Sequence, residues 1–177
     1  MTENRWSKET LDEKLAVVRE KIAEAAKSSG RTSEDIMLMA VTKTVPPSVV
    51  NLVHDSGVVM FGENRAQELC DKYNDYAFDA SSIHFIGGLQ TNKVRQIIDK
   101  VSCIQSVDSL HLATEIDKRA GQIGKVMRVF LEVNIGGEES KSGVLPQELP
   151  KFAEQMAAFD NILVCGLMTI PPVMGNC

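Results

Sequence analysis

The four cysteines of this 177-residue chain are scattered, with no CxxC pair and no histidine close by in the sequence. Their positions are Cys70, Cys103, Cys165 and Cys177. Zinc sites and disulfide frameworks draw on regularly spaced cysteines, so this distribution argues against both kinds of site. We expect reduced and mostly buried thiols.

The chain also lacks long apolar runs and blocks of positive charge. No stretch approaches the ~18 uninterrupted apolar residues that cross a bilayer, and the N-terminus, MTENRWSKETLDEK, has no apolar segment typical of secretion. Its 19 Lys and Arg are mixed among 24 Asp and Glu, which gives a formal net charge of −5 and no patch to neutralise phosphates along a nucleic acid. We therefore expect a cytoplasmic protein that binds neither membranes nor nucleic acid.

Alternating apolar patterns fill the chain. Ser7 is a candidate N-cap for an amphipathic helix that ends at Gly30. Six short apolar runs then alternate with helical segments, at 36–43, 58–64, 82–90, 101–109, 128–135 and 164–170. Such alternation is typical of a parallel sheet whose strands are joined by helices, within one domain spanning 1–177.

Two architectures fit this alternation, a doubly wound open sheet and a (β/α)8 barrel. No G-x-G-x-x-G follows the first strand, so the dinucleotide-binding form of the open sheet has little support. Polar residues instead follow several strands, where a barrel builds its site. They are Lys43, Glu63, Asn64, Gln90, Asp108, Asn134 and Thr169. The apolar Met168 lies at the end of its strand in the same way.

Lys43 is the first candidate for chemistry, because it ends the apolar run 36–43. Burial there would disfavour the charged ammonium and supply the neutral amine that attacks an aldehyde. The alternative is a lysine that ends a strand and extends into water. Position alone leaves both interpretations open.

Three other segments carry polar side chains near strand ends. GEN at 62–64 offers a carboxylate and an amide that could hydrogen-bond the substituents of a planar ring, although Asn64 could equally cap the next helix. His84 alternates with apolar neighbours, which favours a core histidine. The glycine- and serine-rich segment 134–143 could form a lid or an anion nest, or a plain solvated loop.

Taken together, six blocks resemble the pyridoxal-phosphate homeostasis protein family in order and over nearly the whole chain. They are MAVTK at 39–43, FGENRAQE at 61–68, HFIGGLQTNK at 84–93, SVDS at 106–109, NIGGEESKSG at 134–143 and GLMTIPP at 166–172. Within HFIGGLQTNK, Gly88 stands where many members carry a bulkier residue. The set is much more specific than any one of its motifs.

The resemblance implies an alanine-racemase-like (β/α)8 barrel of which about six β-α units are present. It further implies pyridoxal 5'-phosphate (PLP) held as a Schiff base on Lys43, with Asn64 and Met168 lining the cofactor. The resemblance also implies a carrier or regulator of vitamin B6 and amino-acid pools without an established turnover, which would be a monomer when complete and could have PLP-requiring apoenzymes as partners. The alternative is a PLP-dependent amino-acid racemase, which needs a second base that Tyr73 and Tyr76, in a polar helical segment, do not obviously supply.

One departure from the family concerns length. Family members continue beyond GLMTIPP with a helix and two more strands, which supply most of the phosphate contacts and the contact to the pyridine nitrogen. This chain ends at Cys177. We therefore expect a domain that is C-terminally incomplete relative to the family, with strands 36–43 and 164–170 as open edges.

Overall fold

The strands form one parallel sheet and follow one another in chain order. The structure, a computed structural model, describes residues 6–138 and 141–171. Its strands are β1 (Ala40–Val41), β2 (Phe61–Glu63), β3 (Ile83–Phe85), β4 (Cys103–Val107), β5 (Met127–Glu132) and β6 (Ile162–Met168). Each strand pairs in parallel with the next. The predicted α/β class is confirmed.

Strand order separates the two predicted architectures. A doubly wound sheet reverses its order at a switch point, whereas a barrel adds each new strand on the same side. The observed order β1-β2-β3-β4-β5-β6 contains no reversal, as in part of a (β/α)8 barrel. In the described ranges β1 pairs only with β2 and β6 only with β5, so the predicted open edges are confirmed.

Helices alternate with the strands. They are α1 (Lys8–Ser28), α2 (Pro47–Asp55), α3 (Ala66–Lys72), α4 (Thr91–Ile97), α5 (Leu110–Gln122) and α6 (Leu149–Met156). Short 3-10 helices lie at Ser33–Asp35, Tyr73–Asp75 and Ala80–Ser82. In the part of the chain that the structure describes, none of these helices combines the length and apolar character of a bilayer crossing.

The first helix begins and ends where the sequence predicts. The Ser7 hydroxyl accepts a hydrogen bond from the Thr10 N–H at 3.2 Å, so Ser7 is the N-cap. At the other end, Gly30 has a φ of +72°, which is easy only for glycine. That turn lets the Arg31 N–H reach the Ala26 carbonyl at 2.8 Å and closes the helix.

The core lies between the sheet and the helices. Alternate strand residues face the helix layer and are fully buried, as for Ile83 and Phe85 in β3. His84, between them, is half-buried on the opposite face, where its Nδ1 lies 2.7 Å from Gln105 Nε2. Burial and the nearby Arg128 charge lower the pKa of His84. The predicted hydrogen-bond partner for His84 is thus observed, but its placement in the core is wrong, because the side chain is only half-buried on the face of the sheet away from the helices.

The cysteines only partly follow the prediction. Cys103 is buried in β4, and this burial raises the pKa of its thiol to about 12. Cys70 is half-buried and donates to the Gln96 carbonyl at 3.3 Å. Cys165 is exposed on the edge strand β6, so the expectation of burial is wrong for it. Cys177 lies outside the described residues.

Candidate cofactor site

A cleft of about 470 Å³ opens at the carboxyl ends of the strands. Parallel strands bring their carboxyl ends to one edge, so residues far apart in sequence meet there. The lining residues are Val41, Lys43, Asn64, Ile86, Gly87, Gly88, Glu132, Val133, Asn134, Lys141, Ser142 and Ile170. Lys43, Asn64 and Asn134 are thus brought together, whereas Gln90 and Asp108 do not line the cleft.

Lys43 lies in the turn that follows β1, at the mouth of the sheet as predicted. Its side chain is exposed, so of the two interpretations left open by its position, the lysine that ends a strand and extends into water is the one observed. The cause is local: the paired part of the strand ends at Val41, and the chain turns away immediately afterwards. The lysine therefore presents its amine to the cleft from a solvated turn.

Asn64 follows β2 directly and does not cap a helix. Helix α3 begins at Ala66 with Arg65 as its N-cap residue, which removes the alternative role considered for Asn64. The Asn64 Oδ1 atom is buried and has no hydrogen-bond partner in the described residues. An unpartnered buried acceptor costs about 1–3 kcal/mol, and a ligand donor in the cleft would remove that cost. The side chain therefore fits a role in holding a polar ligand.

The ends of β2 and β3 approach closely beside Asn64. The Ile86 N–H donates to the Glu63 carbonyl at 2.8 Å, and a Cβ placed on Gly87 would lie only 2.2 Å from the Asn64 carbonyl oxygen. Gly87 is therefore required by backbone contact. A Cβ on Gly88 would meet nothing within 4 Å, so no close contact requires glycine at this position.

Glu63 faces away from the cleft. Its side chain is fully buried, and Oε1 accepts hydrogen bonds from the Thr42 hydroxyl at 2.7 Å and the Tyr76 hydroxyl at 2.8 Å. Lys72 Nζ lies 3.6 Å from the same oxygen. The expectation that this carboxylate meets a ring substituent is wrong, because neighbouring strand residues point to opposite faces and Gly62 takes the inner one.

Tyr73 and Tyr76 do not line the cleft either. Burial and the hydrogen bond to Glu63 raise the pKa of Tyr76 far above its usual value. Tyr73 lies beneath the Lys100 ammonium, 5.6 Å from the ring centre. Neither phenol is placed to serve as a base toward a ligand beside Lys43.

Glu132 is a cleft residue that the sequence reasoning missed. It ends β5 within the apolar run 128–135 and is 8% exposed. Burial raises the pKa of its carboxyl, and the negative charge of Asp108 raises it further. A lone carboxylate inside an apolar strand run was the available signal, because such residues are seldom buried without a role.

Met168 stays a prediction as a cofactor contact. It is in register with Glu132 across the β5–β6 pair, and in-register residues of parallel strands share a face. It is not itself among the cleft-lining residues.

Around the Asn134 side chain lie residues 135–138 and 141–143, whereas residues 139 and 140 of the predicted loop lie outside the described residues. The Asn134 Nδ2 donates to the carbonyls of Glu138 at 2.9 Å and Lys141 at 3.2 Å. Lys141 pairs with Glu138 at 2.8 Å and lines the cleft beside Ser142. The side-chain amide thus shapes the loop and puts a second cation on the cleft wall, while the roles of lid and anion nest stay predictions.

Gly87→Ala should damage this edge of the sheet. The added Cβ forces apart the backbones of residues 64 and 87, because two non-bonded atoms cannot approach to 2.2 Å, and we expect a loss of about 1–3 kcal/mol in the free energy of unfolding. Gly88→Ala is the matched control and should change it by no more than ~0.5 kcal/mol. Urea unfolding of both variants measures the difference; equal effects would contradict the close contact.

Comparison with known proteins shows which family this chain resembles in sequence and fold. The family model for the alanine racemase N-terminal domain matches residues 14–176. The pyridoxal phosphate homeostasis protein of Aquifex aeolicus (strain VF5) is 43% identical over 164 residues, covering 93% of this chain and 72% of that protein.

Solved structures show the same fold. An unknown protein from Bifidobacterium adolescentis matches with a TM-score of 0.91 at 34% identity, covering 99% of this chain and 74% of that chain. PipY of Synechococcus elongatus PCC7942 with PLP bound matches with a TM-score of 0.70 at 30% identity, covering 86% of this chain and 72% of that chain. The chain therefore belongs to the pyridoxal phosphate homeostasis protein family, and its six described strands form part of the barrel of the alanine racemase N-terminal domain.

Proposed function

We propose that this protein binds PLP and holds it as a Schiff base on Lys43, as a carrier in intracellular vitamin B6 homeostasis. The observation that carries the proposal is one cleft in which an accessible lysine amine and the unpartnered buried Oδ1 of Asn64 lie together at the carboxyl ends of the strands. PipY with PLP bound, a relative of the same fold, supports it.

The side chains of the cleft divide the work of holding the cofactor. PLP supplies an aldehyde that condenses reversibly with a primary amine. Lys43 provides that amine and makes no ion pair with another described residue, so no internal partner competes for it. Asn64 would accept a hydrogen bond from a polar group of the ligand, and Met168 would add an apolar contact. Lys141, which is paired with Glu138, places a further ammonium donor on the cleft wall.

The non-catalytic role is also part of the proposal. A racemase needs an acid or base on each face of its substrate. Tyr73 and Tyr76 are turned away from the cleft, and Tyr76 is committed to Glu63. Glu132 is the observation that favours the racemase alternative, because it is a carboxyl with a raised pKa on the cleft wall.

Lys43→Ala tests the covalent site. With PLP added, the wild-type chain should develop the visible imine band, and borohydride reduction should fix the cofactor on the peptide containing Lys43. The variant should lose both signals because no amine remains at that position. Peptide mapping by mass spectrometry gives the readout.

Two other lysines serve as comparisons for that experiment. Lys118→Ala removes an exposed lysine of α5 and should label like the wild type. Lys141→Ala removes the second cleft lysine and should keep the label on Lys43. A label that stays in Lys43→Ala at full yield, or that maps to Lys141 in the wild type, would refute the assignment.

Hydrogen exchange at the α-carbon of amino acids separates the carrier from the racemase. The PLP-loaded protein in deuterium oxide should leave the α-hydrogen of L-alanine unexchanged, as followed by proton NMR. Free PLP at the same concentration is the control for uncatalysed exchange. Exchange above that control that disappears in Glu132→Gln would establish the racemase alternative.

The proposed carrier is a monomeric, single-domain cytoplasmic protein, and its recipients are PLP-requiring apoenzymes. Because the Schiff base is reversible, loaded protein mixed with such an apoenzyme should lose its imine band while the enzyme gains activity. Protein fixed by borohydride is the matched control and should transfer nothing. Activation no faster than by an equal amount of free PLP would argue against delivery.

A further inference from the structure

The turn that carries Lys43 is anchored on both sides by α3. On one side, the Thr42 carbonyl accepts a hydrogen bond from Lys72 Nζ at 3.0 Å. On the other, the Thr44 N–H donates to Oε1 of Glu68. Glu68 and Lys72 are one turn apart on the helix and pair with each other through the same Oε1. Two side chains of one helix thus hold the backbone directly before and directly after Lys43.

Thr44 needs such an anchor because its backbone is strained. Its φ is +60°, and it is the one residue other than glycine with positive φ in the described ranges. Branching at Cβ makes this conformation unfavourable for threonine. The turn therefore depends on contacts that compensate for it, and the Glu68 carboxylate supplies one at the strained residue itself.

The Glu68–Lys72 pair is partly shielded from water. The Glu68 side chain is 18% exposed and the Lys72 side chain is 12% exposed, so their attraction is screened less than that of a surface pair. Burial raises the pKa of Glu68, but the hydrogen bonds from Lys72 and Thr44 outweigh it and lower the pKa overall. Glu68 is therefore an ionised acceptor at neutral pH.

We propose that Glu68 is a positioning residue for Lys43. This assignment rests on the proposed PLP-binding function. Glu68 fixes the turn by accepting a hydrogen bond from the Thr44 N–H and by orienting Lys72 toward the Thr42 carbonyl. Lys43 itself has a long, exposed side chain, so its reach toward the cleft is set by where this backbone is held. A lysine on a mobile backbone reacts more slowly, because a smaller fraction of its conformations brings the amine to the aldehyde.

Glu68→Ala should slow formation of the Lys43 adduct. With PLP in excess over protein, we expect the rate of imine formation to fall about tenfold. Glu68→Gln keeps an acceptor for Thr44 but loses the charge that orients Lys72, so its rate should be intermediate. Gln67→Ala, at the neighbouring exposed position of α3, is the matched control and should react like the wild type.

A rescue experiment separates positioning from general loss of stability. Glycine adopts positive φ without strain, so Thr44→Gly in the Glu68→Ala chain should restore most of the rate. A helix that was merely destabilised would gain nothing from that second change. Circular dichroism confirms that each compared variant is folded, and stopped-flow absorbance measures the rates.

The outcomes distinguish a failure of the proposed function from a failure of the positioning role of Glu68. A wild-type chain that forms no Lys43 adduct overturns the proposed function and this assignment together. A wild-type chain that reacts, with folded Glu68→Ala reacting equally fast, overturns only the positioning role. A slow Glu68→Ala variant that Thr44→Gly does not rescue also overturns the positioning role, because the lower rate of imine formation then does not result from strain in the turn.

Discussion

The buried carboxylate of Glu63 is the interaction on which the arrangement of the site depends. A buried charge is costly unless it is paired and hydrogen-bonded. Thr42 from the end of β1, Tyr76 from the segment after α3, and Lys72 from α3 meet it from three sides, while its Oε2 has no partner in the described part of the chain. These contacts tie β1, β2 and α3 into one unit.

The two proposed cofactor residues are direct neighbours of that network. Lys43 follows Thr42, and Asn64 follows Glu63, so the buried contact between Thr42 and Glu63 also sets the spacing between the backbones that present Lys43 and Asn64. Residues on the helix side thus build a cleft on the other side of the sheet. Because side chains alternate along the strands, one residue of each neighbouring pair faces the cleft and the other is buried in the polar network on the helix side.

The sequence predicted which strands and helices are present better than where each strand ends and which residues are exposed. Apolar runs located all six strands because burial requires them, yet the run 36–43 is paired only at Ala40–Val41. Hydrophobicity reports which residues avoid water, whereas strand length depends on where a partner strand lies. Lys43 and Asn64 were found by position after a strand and by resemblance. The sequence could not decide between a buried and an exposed Lys43, because the chain turns at Thr44 in a conformation that threonine rarely adopts.

An exposed reactive lysine suits a carrier better than a catalyst. A catalytic Schiff base gains from exclusion of water, because a dry site strengthens electrostatic control and protects reactive intermediates. Here the backbone around Lys43 is held by the partly buried Glu68–Lys72 pair, while the lysine side chain stays open to solvent. On the proposed function, water or another amine could therefore reach a Schiff base at Lys43 and reverse it. On the proposed function, the rigid turn favours loading and the open side chain favours release, and a carrier requires both.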